Sequence, residues 1–326
     1  MEVKSLNDFY KSNFTNQKMM RTVLISLVPI IIFSTYLFGL KVLVLLATVT
    51  ITGTMVEYLW ERHYNRKASE AVFVSCILYT LTLPVSIPIW IALLGILFGL
   101  LFGKLFFGGF GKNVFNPAIV GRVFIYVNFP EPLTISWNQA ASGFPGGLTT
   151  YLTNHIDAVT EATPMILFNN TKELLDVQSL LIGTVPGAIG ETGKILIIIA
   201  GIYLIYKKVA SWEIMTGTLI GFIAASAVLY LFKVPVLNPL YGIIMGGFLF
   251  GAVFMATDPI SAPKTKAGKW IYGIIIGLVT LLIRSLSLFN GGMMFAILMG
   301  NTFAPIIDYF VKENVARKKR KLEALS

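Results

Sequence analysis

From Met19 onward the sequence keeps returning to stretches of about 20 mostly apolar residues, the length an α-helix needs to cross the hydrocarbon core of a bilayer. Nothing else in the chain narrows its fold as much. Of its 326 residues, 56% are hydrophobic and 13% charged, and that charged share is about half of what soluble domains carry. A soluble core of this size has no place for so much apolar surface, whereas lipid does. The stretches fall near 20–39, 42–60, 69–84, 87–106, 114–130, 193–206, 211–232, 240–256, 270–286 and 292–311. The expected fold class is therefore an all-α polytopic membrane protein with about ten transmembrane segments, several of them short or interrupted. No charged n-region with a cleavage site precedes the first stretch, so residues 1–19 read as a flexible or surface-lying cytoplasmic lead-in.

The placement of charge supports this count. With the N-terminus inside, the inner loops, span ends and termini hold Lys4, Lys11, Lys18, Arg21, Arg62, Arg66, Lys67, Lys104, Lys112, Lys207, Lys208, Lys264, Lys266, Lys269, Lys312, Arg317, Lys318, Lys319, Arg320 and Lys321, twenty of the 26 basic residues. Lys41, Lys172, Lys194 and Lys233 fall at outer edges, and Arg122 and Arg284 within spans. Such a skew is the positive-inside signature. It places both termini in the cytoplasm and explains the net charge of +10 without nucleic acid as a partner. The single cysteine, Cys76, and two histidines, His63 and His155, leave no basis for a disulfide, a thiolate cluster or a histidine metal site.

Residues 131–192 form an acidic, extracytoplasmic insert with six carboxylates against one lysine. It separates residues 20–130 from residues 193–311, five spans each, and residues 312–326 form a basic cytoplasmic tail. The halves share features. Thr82-Leu83-Pro84-Val85-Ser86 aligns with Thr257-Asp258-Pro259-Ile260-Ser261, and Ala118-Ile119-Val120-Gly121 aligns with Ile297-Leu298-Met299-Gly300. Because five is odd, a second copy enters the membrane upside down. Inverted repeats of this kind put sites near the midplane at broken helices. Chance likeness between apolar segments is the alternative.

Three passages carry candidate chemistry. In Gly109-Phe110-Gly111-Lys112-Asn113-Val114-Phe115-Asn116-Pro117-Ala118, two amides three residues apart share a face if a helix begins there and suit the edge of a heteroaromatic ring. A helix start that only caps its own backbone explains the same residues. In Thr257-Asp258-Pro259-Ile260-Ser261, an acid at a membrane helix end is costly unless paired or functional, and an Asp-Pro turn is the rival reading. Asp157-Ala158-Val159-Thr160-Glu161-Ala162-Thr163-Pro164 reads on its own as a loop with a helix cap at Thr160. Arg122, Arg284, Glu57 and Glu61 are expected at interfaces, the arginines snorkelling, with pairing to an anionic ligand or carboxylate as the alternative.

Taken together, these passages, with Phe254-Met255-Ala256 before the Thr-Asp-Pro-Ile-Ser segment, Asn290-Gly291-Gly292-Met293-Met294-Phe295-Ala296-Ile297-Leu298 and Phe303-Ala304-Pro305-Ile306-Ile307-Asp308, make the chain resemble the NqrB/RnfD family over about residues 20–312. That family comprises the flavin-carrying membrane subunits of the sodium-translocating NADH:quinone reductase and of the Rnf ferredoxin:NAD oxidoreductase. The resemblance implies FMN bound covalently through a phosphoester to Thr163, within an acceptor pattern whose matching residues are Asp157, Thr160, Ala162 and Thr163. Glu161 stands where the family has Gly. It also implies a second, noncovalent flavin (riboflavin) near Asn113 and Asn116, with Asp258 as neighbour.

Further implications are a multi-subunit complex in the cell inner membrane with iron–sulfur subunits and a flavin-carrying extracytoplasmic subunit, a flavin transferase for maturation, and coupling to Na+ or H+. The chain is then a translocase subunit that is not catalytic alone, with no catalytic or metal-ligating residue assigned. The early first span favours the RnfD branch, of the Rnf complex, over the longer NqrB branch, of the quinone reductase. A channel or secondary transporter of inverted-repeat fold is the non-redox rival.

Overall fold

The computed structural model describes residues 6–135, 137–141, 143, 145–149, 163–171, 174–233, 238–287, 289 and 291–325. It is built of helices. α1 (Leu6–Asn13), α2 (Lys18–Phe38), α3 (Lys41–His63), α4 (Ala71–Leu81), α5 (Ile89–Leu100) and α6 (Pro117–Asn128) precede the insert, and α7 (Pro130–Thr134) opens it. α8 (Pro164–Thr171) and α9 (Val177–Ile182) lie in it. α10 (Lys194–Tyr206), α11 (Trp212–Leu231), α12 (Pro239–Ile244), α13 (Phe248–Phe250), α14 (Lys266–Leu286) and α15 (Gly292–Glu323) follow.

Five helices, α2, α3, α11, α14 and α15, are long and apolar enough to cross a membrane, and α4, α6, α10 and the continuous segment Ile89–Leu105 are shorter apolar helices. With large apolar side chains such as Ile25, Ile32, Ile51 and Met55 facing outward, this is a polytopic membrane protein. The stretch expected at 240–256 is broken: α12 stops at Ile244, and α13 runs into a π-turn, Gly251–Met255. A second π-turn, Leu101–Leu105, ends α5. The expected span at 114–130 begins only at Pro117, where Asn116 caps α6.

Both terminal segments carry structure of their own. The N-terminal lead is tied down: Phe14–Thr15 pairs in parallel with Ala68–Ser69, and Glu70 accepts from Tyr10 Oη (2.6 Å), the Gln17 amide (2.7 Å) and Arg21 Nη2 (2.5 Å). At the other end α15 runs unbroken into the basic tail. No Gly or Pro interrupts residues 306–323, and Arg317–Glu313 and Lys319–Glu323 form i,i+4 pairs along it, a spacing that supports exposed helix.

Because lipid is as apolar as the helix faces, packing must come from close approach. α11 and α14 meet through Gly217 and Gly221 on one side and Gly273 and Gly277 on the other. A methyl group at Gly273 would lie 2.6 Å from the Ile214 carbonyl oxygen, and one at Gly277 would lie 2.6 Å from the Phe222 amide nitrogen. α5 and α6 approach in the same way, with a methyl at Gly99 falling 2.9 Å from the Gly121 nitrogen. Gly277→Leu is therefore expected to force α11 and α14 apart, an overpacking cost of about 1–3 kcal/mol or more. The readout is a lower thermal midpoint and loss of monodispersity in detergent, while Ile220→Leu on the exposed face of α11 leaves both unchanged.

Candidate functional site

Two pockets share the walls of α6 and the π-turn Gly251–Met255. The first gathers Thr163, Arg122 and Tyr126 of α6, Glu191, Thr192, Lys194, the Gly246-Gly247 break, and Arg284 of α14, with Ile119, Phe250, Met255, Met293 and Ile297 supplying apolar surface. It encloses about 1060 Å³, mouth included. Thr163 stands immediately before α8, its carbonyl accepting from the Leu167 amide at 2.9 Å. Proline at the first helical position fixes the backbone there, since its missing N–H is not needed. Asp157, Thr160, Glu161 and Ala162 lie outside the described residues.

The polar groups of this pocket are held from the protein side. Lys194 Nζ donates to the carbonyls of Glu191 and of Gly246, the latter at 2.8 Å. Arg284 Nη1 donates to the Gly242 carbonyl at 2.7 Å, and its guanidinium lies over the Phe248 ring. Arg122 lies over the Tyr126 ring. Desolvation pushes the Glu191 carboxyl above its ordinary range, against the pull of the Lys194, Arg122 and Arg284 charges. Arg122 Nη1, Arg284 Nε and Thr192 Oγ1 are buried without a hydrogen-bond partner among the described residues. The interfacial expectation for the two arginines is corrected: they are 8% and 7% exposed and point into protein, because the helix break at Met245–Gly247 opens space beside them.

The second pocket brings together Asn113, Asn116 and Asp258, with Lys104, Phe110, Thr257, Phe254, Leu78 and Val74. The two amides do not share a helix face, since α6 starts after them. Asn113 Nδ2 donates to the Phe115 carbonyl (3.1 Å), and Asn116 Oδ1 accepts from the Ala118 amide (3.0 Å) as a helix cap. The capping reading thus holds, and both side chains still line the pocket. Asp258 behaves likewise: Oδ2 accepts from Ser261 Oγ at 2.7 Å, closing the Asp-Pro turn.

Sequence reasoning missed Asn301. Fully buried on α15, it accepts from the Asn116 amide (3.2 Å) and donates to Tyr272 Oη (2.8 Å) and the Ser261 carbonyl (3.4 Å). It therefore joins the ends of both interrupted segments. Its signal was a lone amide within the apolar run 292–311.

Below this pocket Lys104 and Glu57, 2% and 1% exposed, pair at 2.6 Å. Ser69 completes the cluster, accepting from Lys104 Nζ (2.7 Å) and donating through Oγ to Glu57 (2.6 Å). Glu61 pairs with Arg66 at 2.7 Å. Glu57 is thus buried and paired within protein. Lys104→Met is expected to strand the Glu57 charge at a cost of ~3–5 kcal/mol. The thermal midpoint should fall further in that variant than in the Lys104→Met, Glu57→Gln double variant.

Comparison with known proteins places these residues in context. The model of the NQR2, RnfD, RnfE family matches residues 3–317. The chain is similar to proteins named as the B component of the Na(+)-translocating NADH-quinone reductase. It is 38% identical to that of Ectopseudomonas mendocina (strain ymp) over 282 residues, covering 83% of this chain and 67% of the relative. It is 37% identical to that of Neisseria meningitidis serogroup A over 285 residues, covering 84% and 67%. It is 38% identical to that of Klebsiella pneumoniae (strain 342) over 282 residues, covering 83% and 67%. The chain thus spans about two thirds of these relatives' length.

Proposed function

The chain belongs to the NQR2, RnfD, RnfE family, and on that premise we propose that it is a membrane subunit of an ion-translocating electron-transport complex that carries FMN covalently on Thr163. The observation that carries this reading is the pocket itself. Thr163, the acceptor that the family pattern selects, opens onto a cavity between helices with apolar walls and three buried polar atoms that lack protein partners among the described residues. A flat heteroaromatic ring with a polar edge matches that donor set and that lining. Ile119, Phe250 and Ile297 would hold the ring faces and Arg122, Arg284 and Thr192 its polar edge, and the flavin, when bound, supplies one- and two-electron chemistry. The chain's own part is to bind the group, orient it and keep water away from it.

Noncovalent riboflavin in the Asn113–Asn116 pocket belongs to the same proposal. Its support is that Asn113, Asn116 and Asp258, distant in sequence, line one pocket. The π-turn Gly251–Met255 lies between the two pockets, with Met255 at one and Val253 and Phe254 at the other, so residues of one turn would line both sites, and flavins held there would supply electron-transfer chemistry. Such transfer has to drive ion movement: carrying one charge against 100 mV costs ~2.3 kcal/mol. About ten spans in two inverted sets of five would supply the ion path, with Na+ or H+ as the coupling ion and both termini in the cytoplasm. Iron–sulfur and flavin-carrying subunits and a flavin transferase are the partners this reading requires. On the branch, the relatives' names favour the sodium-translocating NADH:quinone reductase over the Rnf type that chain length suggested.

Coexpressed with a flavin transferase and run on a denaturing gel under ultraviolet light, the parent should give a fluorescent band, and Thr163→Val a dark band at equal yield. A dark parent band despite a competent transferase would favour the non-redox transporter. Asn113→Leu, which removes an amide that lines the pocket but caps no helix, should weaken retention of noncovalent flavin roughly tenfold, about 1.4 kcal/mol, measured as flavin released by acid per mole of protein. Covalent fluorescence should be unchanged in that variant.

A further inference from the structure

Within the Thr163 pocket the charges do not balance. Among the described residues, Arg122, Lys194 and Arg284 face a single carboxylate, Glu191, and none of these four forms an ion pair within 4.0 Å. Lys194 is spoken for by two backbone carbonyls. Each guanidinium keeps an open donor. Arg122 Nη1 and Arg284 Nε are buried, with no partner among the described residues, although both side chains are more than nine-tenths buried. Leaving a buried charged donor unsatisfied is strongly unfavourable. Nor are these long side chains free to swing toward water: Arg284 is anchored through Nη1 to Gly242, and each guanidinium lies beside an aromatic ring, Tyr126 for Arg122 and Phe248 for Arg284. The arrangement leaves two cationic donors open beside the apolar walls of the cavity.

We propose that Arg122 and Arg284 form a two-guanidinium clamp on the electron-rich pyrimidine edge of the flavin ring, and thereby set the potential at which that flavin accepts electrons. The proposal rests on the reading of Thr163 as the attachment site. The phosphoester stays at Thr163 Oγ1, on the segment before α8, whereas the guanidiniums arise from α6 and α14 among the apolar residues that suit the ring faces. On taking up two electrons and one proton, the ring gains one negative charge along its N1–C2=O edge. The electrons come from a one-electron carrier of the complex or, in a titration, from dithionite. Fixed cationic donors at that edge favour the reduced ring over the oxidised one, so they raise the potential. Arg122 and Arg284 are positioning residues in this scheme and exchange no electron themselves.

The test is a spectroelectrochemical titration of the purified full chain loaded by its transferase, with the signal of Thr163→Val subtracted so that only covalent flavin is followed. Arg122→Gln and Arg284→Gln should keep the fluorescent band. Each should lose tenfold or more of the preference for the reduced ring, a negative shift of about 30 mV for a two-electron couple. Arg284→Lys, which keeps the charge, should recover part of the shift. Loaded glutamine variants that titrate at the parent's potential would overturn the clamp. So would loss of the fluorescent band from variants that remain monodisperse, because the arginines would then serve attachment. A dark parent band overturns the underlying reading itself, and is seen before any arginine is changed.

Discussion

Backbone N–H and C=O groups inside a bilayer must find partners within the protein, and this molecule is organised around the places where its helices cannot provide them. After α4 the chain leaves helical geometry at Thr82–Ser86. There the Leu83 and Leu81 carbonyls accept from the Ile189 and Gly190 amides at 2.9 and 2.7 Å, and Ser34 Oγ closes onto the Ile189 carbonyl at 2.6 Å. After the π-turn at Gly251–Met255, Asn301 and Asn116 do the corresponding work, reaching the Ser261 and Met255 carbonyls. The breaks that require these partners are also what open the two pockets, since an unbroken helix at 240–256 would fill the space beside Arg284 and Thr192.

The glycine contacts serve the same arrangement from outside. Seating α11 on α14, and α5 on α6, at backbone distance gives the bundle rigidity that apolar side chains against lipid cannot supply. With those helices fixed, a few polar side chains can be buried at defined positions. Lys104 and Glu57 neutralise one another and use Ser69 to complete their hydrogen bonds. Arg284 is anchored to the Gly242 carbonyl and Arg122 lies over the Tyr126 ring, yet both keep open donors. The first arrangement is closed on itself, while the second leaves donors open toward the pocket.

Legibility in the sequence divides along that line. Asn113, Asn116 and Asp258 were identifiable because amides and acids stand out in apolar runs, and the structure brings them to one pocket. Thr163 was singled out only through the family's motif, since a threonine before Pro164 has no distinctive local chemistry, and the structure puts it at the other pocket. Arg122 and Arg284 were misjudged. A basic residue in an apolar run looks the same whether its neighbours are lipid, which makes it snorkel, or a cavity, into which it can turn. Asn301 was passed over because a single amide near the end of a span says nothing about which carbonyls lie across from it.

By itself the sequence determined that this chain lives in a membrane, roughly where its helices run, and which side chains are polar enough to matter there. These follow from length and composition, because hydrocarbon selects any apolar stretch of about 20 residues. Tertiary structure alone decided that the eighth stretch breaks, that the N-terminal lead is pinned to the loop before α4, and that α6 and one π-turn form a wall common to both pockets. It also decided that two arginines turn inward beside Thr163. Those outcomes depend on which elements lie opposite one another, and contacts between residues far apart in the chain leave no periodicity for a linear reading to detect.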